Sequence, residues 1–69
     1  MIFDVYQSGY ELGYQDGIRN NRRRNDWELK LQPLALLPLV DTRTYIQGYH
    51  DGYRFGLTKG HWVRRDLRG

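Results

Sequence analysis

Two trios of glycines constrain this 69-residue chain more than any other feature: Gly9, Gly13 and Gly17 recur at intervals of four, and so do Gly48, Gly52 and Gly56. If both segments are helical, each trio lies along one face. A glycine inside a helix costs about 0.8 to 1 kcal/mol relative to alanine, so six of them either argue against helix or mark a place where losing side chains gains something. The flanking residues favour helix. From Asp4, an N-cap candidate with Gln7 three residues on, to about Asn20, the positions Val5, Tyr6, Tyr10, Leu12, Tyr14 and Ile18 have helical rather than alternating spacing. Tyr45, Ile46, Tyr49, Tyr53 and Leu57 do the same in a second segment, which Asp41 can cap, or Thr44 in a capping box with Gln47. That helix is expected to end near residues 58 to 60, with Gly60 as terminator.

The two segments also repeat each other. GYQDGIR (Gly13 to Arg19) returns as GYHDGYR (Gly48 to Arg54), and a shift of 35 pairs Tyr10 with Tyr45, Tyr14 with Tyr49, Asp16 with Asp51 and Trp27 with Trp62. A period near 35 is that of helical-repeat arrays, but their consensus is absent and two copies fall short of the usual minimum of about three. The reading that follows is a packing device. Gly9, Gly13, Gly17, Gly48, Gly52 and Gly56 let the helices approach closely, while Tyr10, Tyr14, Tyr45 and Tyr49 bury area across the contact. A twofold relation between the copies would make the pair antiparallel, a pseudo-symmetric helical hairpin; the linker is long enough for the parallel arrangement as well. Asp16 and Asp51, each three residues before an arginine (Arg19 and Arg54), are expected to form local ion pairs.

The fold class is therefore all-α, one small domain over 1–69. Helices at about 4–20 and 43–58 (the second bounded at most by 42–59) are joined by a basic loop and linker, 21–41, and followed by a short basic tail, 60–69. In the linker, Trp27, Leu29 and Leu31 alternate and Pro33 and Pro38 forbid a regular helix, so it is expected to run extended and give Trp27 and leucines to the core, or to serve as a docking surface or be buried in a homodimer.

Cysteine is absent, and His50 and His61 make no metal constellation, so no metal or cofactor is expected. A chain this short can scarcely build an enclosed catalytic cleft, and no nucleophile–base arrangement or phosphate loop is present; an enzyme is not expected. The start, MIFDVYQ, is unlike a signal peptide, and the longest apolar run, 33–40, is short and interrupted by proline, which points to a soluble, cytoplasmic protein.

The net charge is +3, and the cations are clustered: Arg19, Arg22, Arg23 and Arg24, then Arg54, Lys59, Arg64, Arg65 and Arg68. Arginine far outnumbers lysine, which suits phosphate and base edges or a carboxylate-rich protein surface; alternatively the runs are solvated helix ends.

GYQDGI (Gly13 to Ile18) followed by a basic stretch, then Tyr45-Ile46-Gln47-Gly48-Tyr49-His50-Asp51, resembles the ribosome modulation factor family of small bacterial proteins. Tyr45 and Tyr49 stand where that family has tryptophans, Gln47 where it has glycine and Asp51 where it has glutamate. The resemblance implies a two-helix protein that binds ribosomal RNA on the small subunit and helps to inactivate ribosomes as dimers. On that reading the arginines and Lys59 contact phosphates and Trp62 stacks on a base. The alternative is a small protein-binding module, such as a phage-type inhibitor, anchored by Trp27, Leu34, Leu36 and Leu37 with an arginine rim.

Overall fold

In the computed structural model the described residues are 4–38 and 40–68, with the side chains of residue 34 and of 64–68 outside that description. Three α-helices and one 3-10 turn account for most of the chain: α1 Val5–Ile18, α2 Asp26–Lys30, the turn Leu34–Leu36, and α3 Thr42–Arg68. No helix among the described residues is long and apolar enough to cross a membrane.

Each start has a local cause. Asp4 caps α1 by accepting from the Gln7 amide at 3.0 Å. Asp41, rather than Thr44, begins α3, accepting from the Arg43 amide and the Thr44 hydroxyl. The linker is not extended between its prolines and the basic loop: Asn25 and Glu28 form a reciprocal capping box, which satisfies two amides that would otherwise be orphaned and nucleates α2. α1 closes two residues earlier than expected, with Arg19 as C-cap and Asn20 at a positive φ of 59°. The second helix does not stop at Gly60. Among the described residues no glycine has positive φ, Gly60 is buried within α3, and the helix continues to Arg68.

Helices α1 and α3 are the long pair expected, and they pack closely, but they run parallel. Gly9 faces the backbone of Tyr45, Gly13 that of Tyr49 and Gly17 that of Tyr53, so residue numbers rise together on both helices. From the other side Gly48 faces Tyr6, Gly52 faces Tyr10 and Gly56 faces Tyr14. These six contacts reveal a pseudo-twofold running along the pair, which carries α1 residue n onto α3 residue n+39. The shift of 35 that aligns GYQDGIR with GYHDGYR is therefore one helical turn short of the shift that governs packing. At 39, Tyr6, Gly9, Tyr10, Gly13, Tyr14 and Gly17 fall on Tyr45, Gly48, Tyr49, Gly52, Tyr53 and Gly56. A methyl group built on any of the six glycines would overlap a tyrosine carbonyl oxygen of the opposite helix. The hydrogen in its place points at that oxygen, a weak Cα–H···O contact of perhaps 0.5 to 1 kcal/mol.

A parallel pair has two equivalent grooves. The first is roofed by the chain itself: the linker folds back over Tyr45, Tyr49 and Tyr53, which with Leu29 and Ala35 make the core, and Val5, Leu12 and Ile46 pack around them. The second, between Tyr6, Tyr10 and Tyr14 on α1 and Phe55 on α3, has no such roof among the described residues. Beyond Leu57, α3 runs past the end of α1.

Candidate functional site: a filled groove, an open groove and an apolar ridge

The filled groove shows what the fold can hold. Leaving α1, residues 21–24 descend antiparallel to α3, passing Tyr53 and then Tyr49. The Tyr53 hydroxyl donates to the Asn21 carbonyl at 2.7 Å, and the Tyr49 hydroxyl accepts from the Arg24 amide at 2.9 Å while donating to Asp16 at 2.7 Å. Asp16 does not pair with Arg19. Asp16 is only 5% exposed and its carboxylate turns inward, where Arg24 brings a guanidinium to 2.9 Å and Asn21 a side-chain amide to 3.5 Å. Asp51, on the outer surface of α3, does make the expected local bridge, to Arg54 at 3.1 Å, and adds a bond from the Tyr6 hydroxyl at 2.6 Å. The same residue type three places before an arginine thus has two roles, decided by which side the linker covers.

Burial works against the Asp16 carboxylate, but its bonds from Tyr49 and Arg24 outweigh that and hold its pKa below the ordinary value. Asp51, Glu28 and Asp41 are also lowered, chiefly by their hydrogen bonds from Tyr6, Arg22 and Thr44 respectively. Burial, reinforced by Asp16, pushes the Tyr49 phenol up to about 12. For the four carboxylates the folded value lies below the unfolded one, so their contribution is present at neutral pH and lost as pH falls below about 4. For Tyr49 the sign reverses: its contribution is full below the ordinary tyrosine value of about 10 and lost as pH rises through the folded one. Thermal midpoints followed by circular dichroism are expected to be level through neutral pH and to fall at both ends. Tyr49→Phe should blunt the alkaline fall and, because it also removes the bond that lowers Asp16, part of the acid fall.

The first arginine cluster is largely engaged within the chain. Arg22 grips Glu28 with bonds of 3.1 and 3.0 Å, Arg24 holds Asp16, and Arg23 lies over the Tyr53 ring at 4.8 Å. Arg19 is exposed at the end of α1 and Arg54 is tied to Asp51. Lys59 and Trp62 are exposed on the stretch of α3 beyond α1; the side chains of Arg64, Arg65 and Arg68, which follow on the same stretch, lie outside the described residues. In the chain the first cluster runs from the end of α1 into the linker, and the second lies along α3.

Trp27 does not enter the core. It stands 64% exposed on α2, and Leu31, one turn on, is 59% exposed; Leu36 and Leu37 are more than half exposed just beyond. Leu29 faces inward instead and is fully buried. The 3.6-residue turn of α2 explains this, since Trp27 and Leu31 share a face that Leu29 does not. The Leu34 side chain lies outside the described residues.

The open groove leaves little trace in the sequence pattern. Tyr6, Tyr10, Phe55 and Tyr14 form a continuous row of rings, with centroids 6.1, 6.3 and 5.8 Å apart, and Phe55 is half exposed. Phe55 and Tyr6 carry no signal in the 35-residue repeat; the 39-residue shift would have paired Tyr6 with Tyr45. Among the described residues no group of three His, Asp or Glu side chains is placed to hold a metal ion. Comparison of the chain with models of protein families, with curated proteins and with solved structures finds no match.

Proposed function

We propose that this chain is a small, non-enzymatic protein-binding module anchored by the ridge of Trp27, Leu31, Leu36 and Leu37. The observation that carries this reading is the exposure of all four large apolar side chains on one short segment, where a chain with so small a core has most to gain by covering them. Trp27 is the natural hot spot, an aromatic ring on a short capped helix, and Arg22, Glu28 and Lys30 supply a polar rim. Asp16, the one buried carboxylate among the described residues, is saturated by Tyr49, Arg24 and Asn21, which suits a structural role and not catalysis.

A second reading, contact with RNA in the manner that the ribosome modulation factor resemblance implies, is favoured by the projecting end of α3, where Lys59 and Trp62 precede three arginines in the sequence. One experiment separates the two. The tagged full-length chain and its Trp27→Ala variant are used to capture partners from lysate at low and moderate salt, and both protein and RNA are identified. The expected result is loss of a protein partner from the variant, by roughly tenfold or more for a hot-spot ring, with the fold unchanged by circular dichroism. RNA captured equally by both, and released steeply on raising salt, overturns the first reading in favour of the second.

A further inference from the structure

We propose that the open groove of Tyr6, Tyr10, Tyr14 and Phe55 binds an extended, arginine-bearing peptide segment of another protein, held much as this chain holds its own residues 21–24 in the opposite groove. The pseudo-twofold supplies the template. In the filled groove Tyr53 donates to a main-chain carbonyl and Tyr49 accepts from a main-chain amide, while an arginine lies against the Tyr53 ring. The shift of 39 carries Tyr53 onto Tyr14 and Tyr49 onto Tyr10, and among the described residues neither of those two hydroxyls has a hydrogen-bond partner. Hydroxyls one turn apart can grip a peptide main chain whatever its sequence, which is what the linker exploits.

Specificity comes from what differs between the grooves. Phe55 stands where the filled groove has Asp16, so an incoming guanidinium meets ring faces, Tyr10 and Tyr14 included, in place of a carboxylate. Two shallow depressions, of about 420 and 450 Å³, share Phe55 as a wall; Glu11 borders one and Asp51 the other. The single cation lining them among the described residues, Arg54, is already bonded to Asp51. An aromatic groove with an acidic balance attracts a cationic peptide and repels a phosphate backbone. This inference concerns a different surface from the Trp27 ridge and does not rest on it.

A fluorescent peptide with the sequence of residues 20–26, NNRRRND, titrated with the full-length protein and followed by anisotropy, tests the proposal. The linker's own copy, tethered at an effective concentration of order mM, keeps the probe from displacing it in the filled groove. Saturable binding is expected below about 100 µM, weakened about tenfold by Phe55→Ala, and comparably by the combined Tyr10→Phe and Tyr14→Phe changes, which remove two hydroxyls and keep the rings. Tyr49→Phe and Trp27→Ala should leave it unchanged, and replacing the peptide's arginines by glutamine should abolish it. The proposal is overturned by no saturable binding, by binding indifferent to Phe55→Ala with the fold intact, or by an oligouridylate that occupies the groove better than the peptide. Concentration-dependent self-association that requires Phe55 overturns it too, because the occupant is then a second copy.

Discussion

Gly13→Ala is expected to destabilise the protein by about 2 to 3 kcal/mol, Gly52→Ala by as much, and the double variant should not fold at room temperature. Alanine in a helix interior is worth about 1 kcal/mol over glycine, so the prediction requires a larger opposing term. A methyl on Gly13 overlaps the Tyr49 carbonyl oxygen and comes within 2.7 Å of the Tyr53 amide nitrogen; on Gly52 it crowds the carbonyl and Cα of Tyr10. Both obstacles are backbone, with no rotamer to yield, so the helices must separate. Overpacking typically costs 1 to 3 kcal/mol, and more when the backbone must shift. A domain of this size has only about 3 to 5 kcal/mol to lose. Substitution at Gly9 should be milder, since after the first overlap its next contacts lie at 3.0 and 3.1 Å and the end of a helix can give. Urea denaturation of the series measures the gradient. A rise in stability at Gly13 would mean that close approach contributes nothing.

Asp16→Ala is expected to cost about 3 kcal/mol and to loosen the linker. The carboxylate receives Tyr49, Arg24 and Asn21 at once, so its removal leaves a buried phenol and a half-buried guanidinium without their partner. Asp16→Asn keeps the shape and gives back part of the loss. Because the three partners act as a unit, a double-mutant cycle between Asp16→Asn and Tyr49→Phe should show losses well short of additive. Limited trypsin digestion gives an independent readout. Cleavage after Arg22, Arg23 and Arg24 should quicken in Asp16→Ala more than cleavage after Arg19, which does not depend on Asp16.

What the sequence made legible was the local code. Asp4, Asp41 and the helical spacing of the tyrosines announce two long helices, and glycine every fourth residue announces their close pairing, because both are read within one or two turns. Direction was not legible. Glycine stripes serve parallel and antiparallel pairs alike, and the choice lies in a linker whose capping box at Asn25 and Glu28 was hidden among polar residues. The repeat misled as well. GYQDGIR and GYHDGYR share residues that do different work, Asp16 inside and Asp51 outside, and the better textual match is offset by one turn from the packing match. Trp27 was misplaced for a related reason: alternation with Leu29 and Leu31 suggests a strand, whereas on a single helical turn it sends the ring outward.

The parallel pairing has a further consequence, for the time the chain takes to fold. An antiparallel pair can zip from its connecting turn, gaining contacts between near neighbours from the start. Here Gly9 meets Tyr45 and Gly48 meets Tyr6, thirty-six and forty-two residues away, and among the described residues none of the six glycines meets a residue of the other helix closer in the chain. Loop closure must therefore precede any reward. This small helical protein should fold more slowly than bundles of its length, with a transition state in which the roof of the filled groove is already in place over Tyr49, drawing two distant helices into register before their backbones touch.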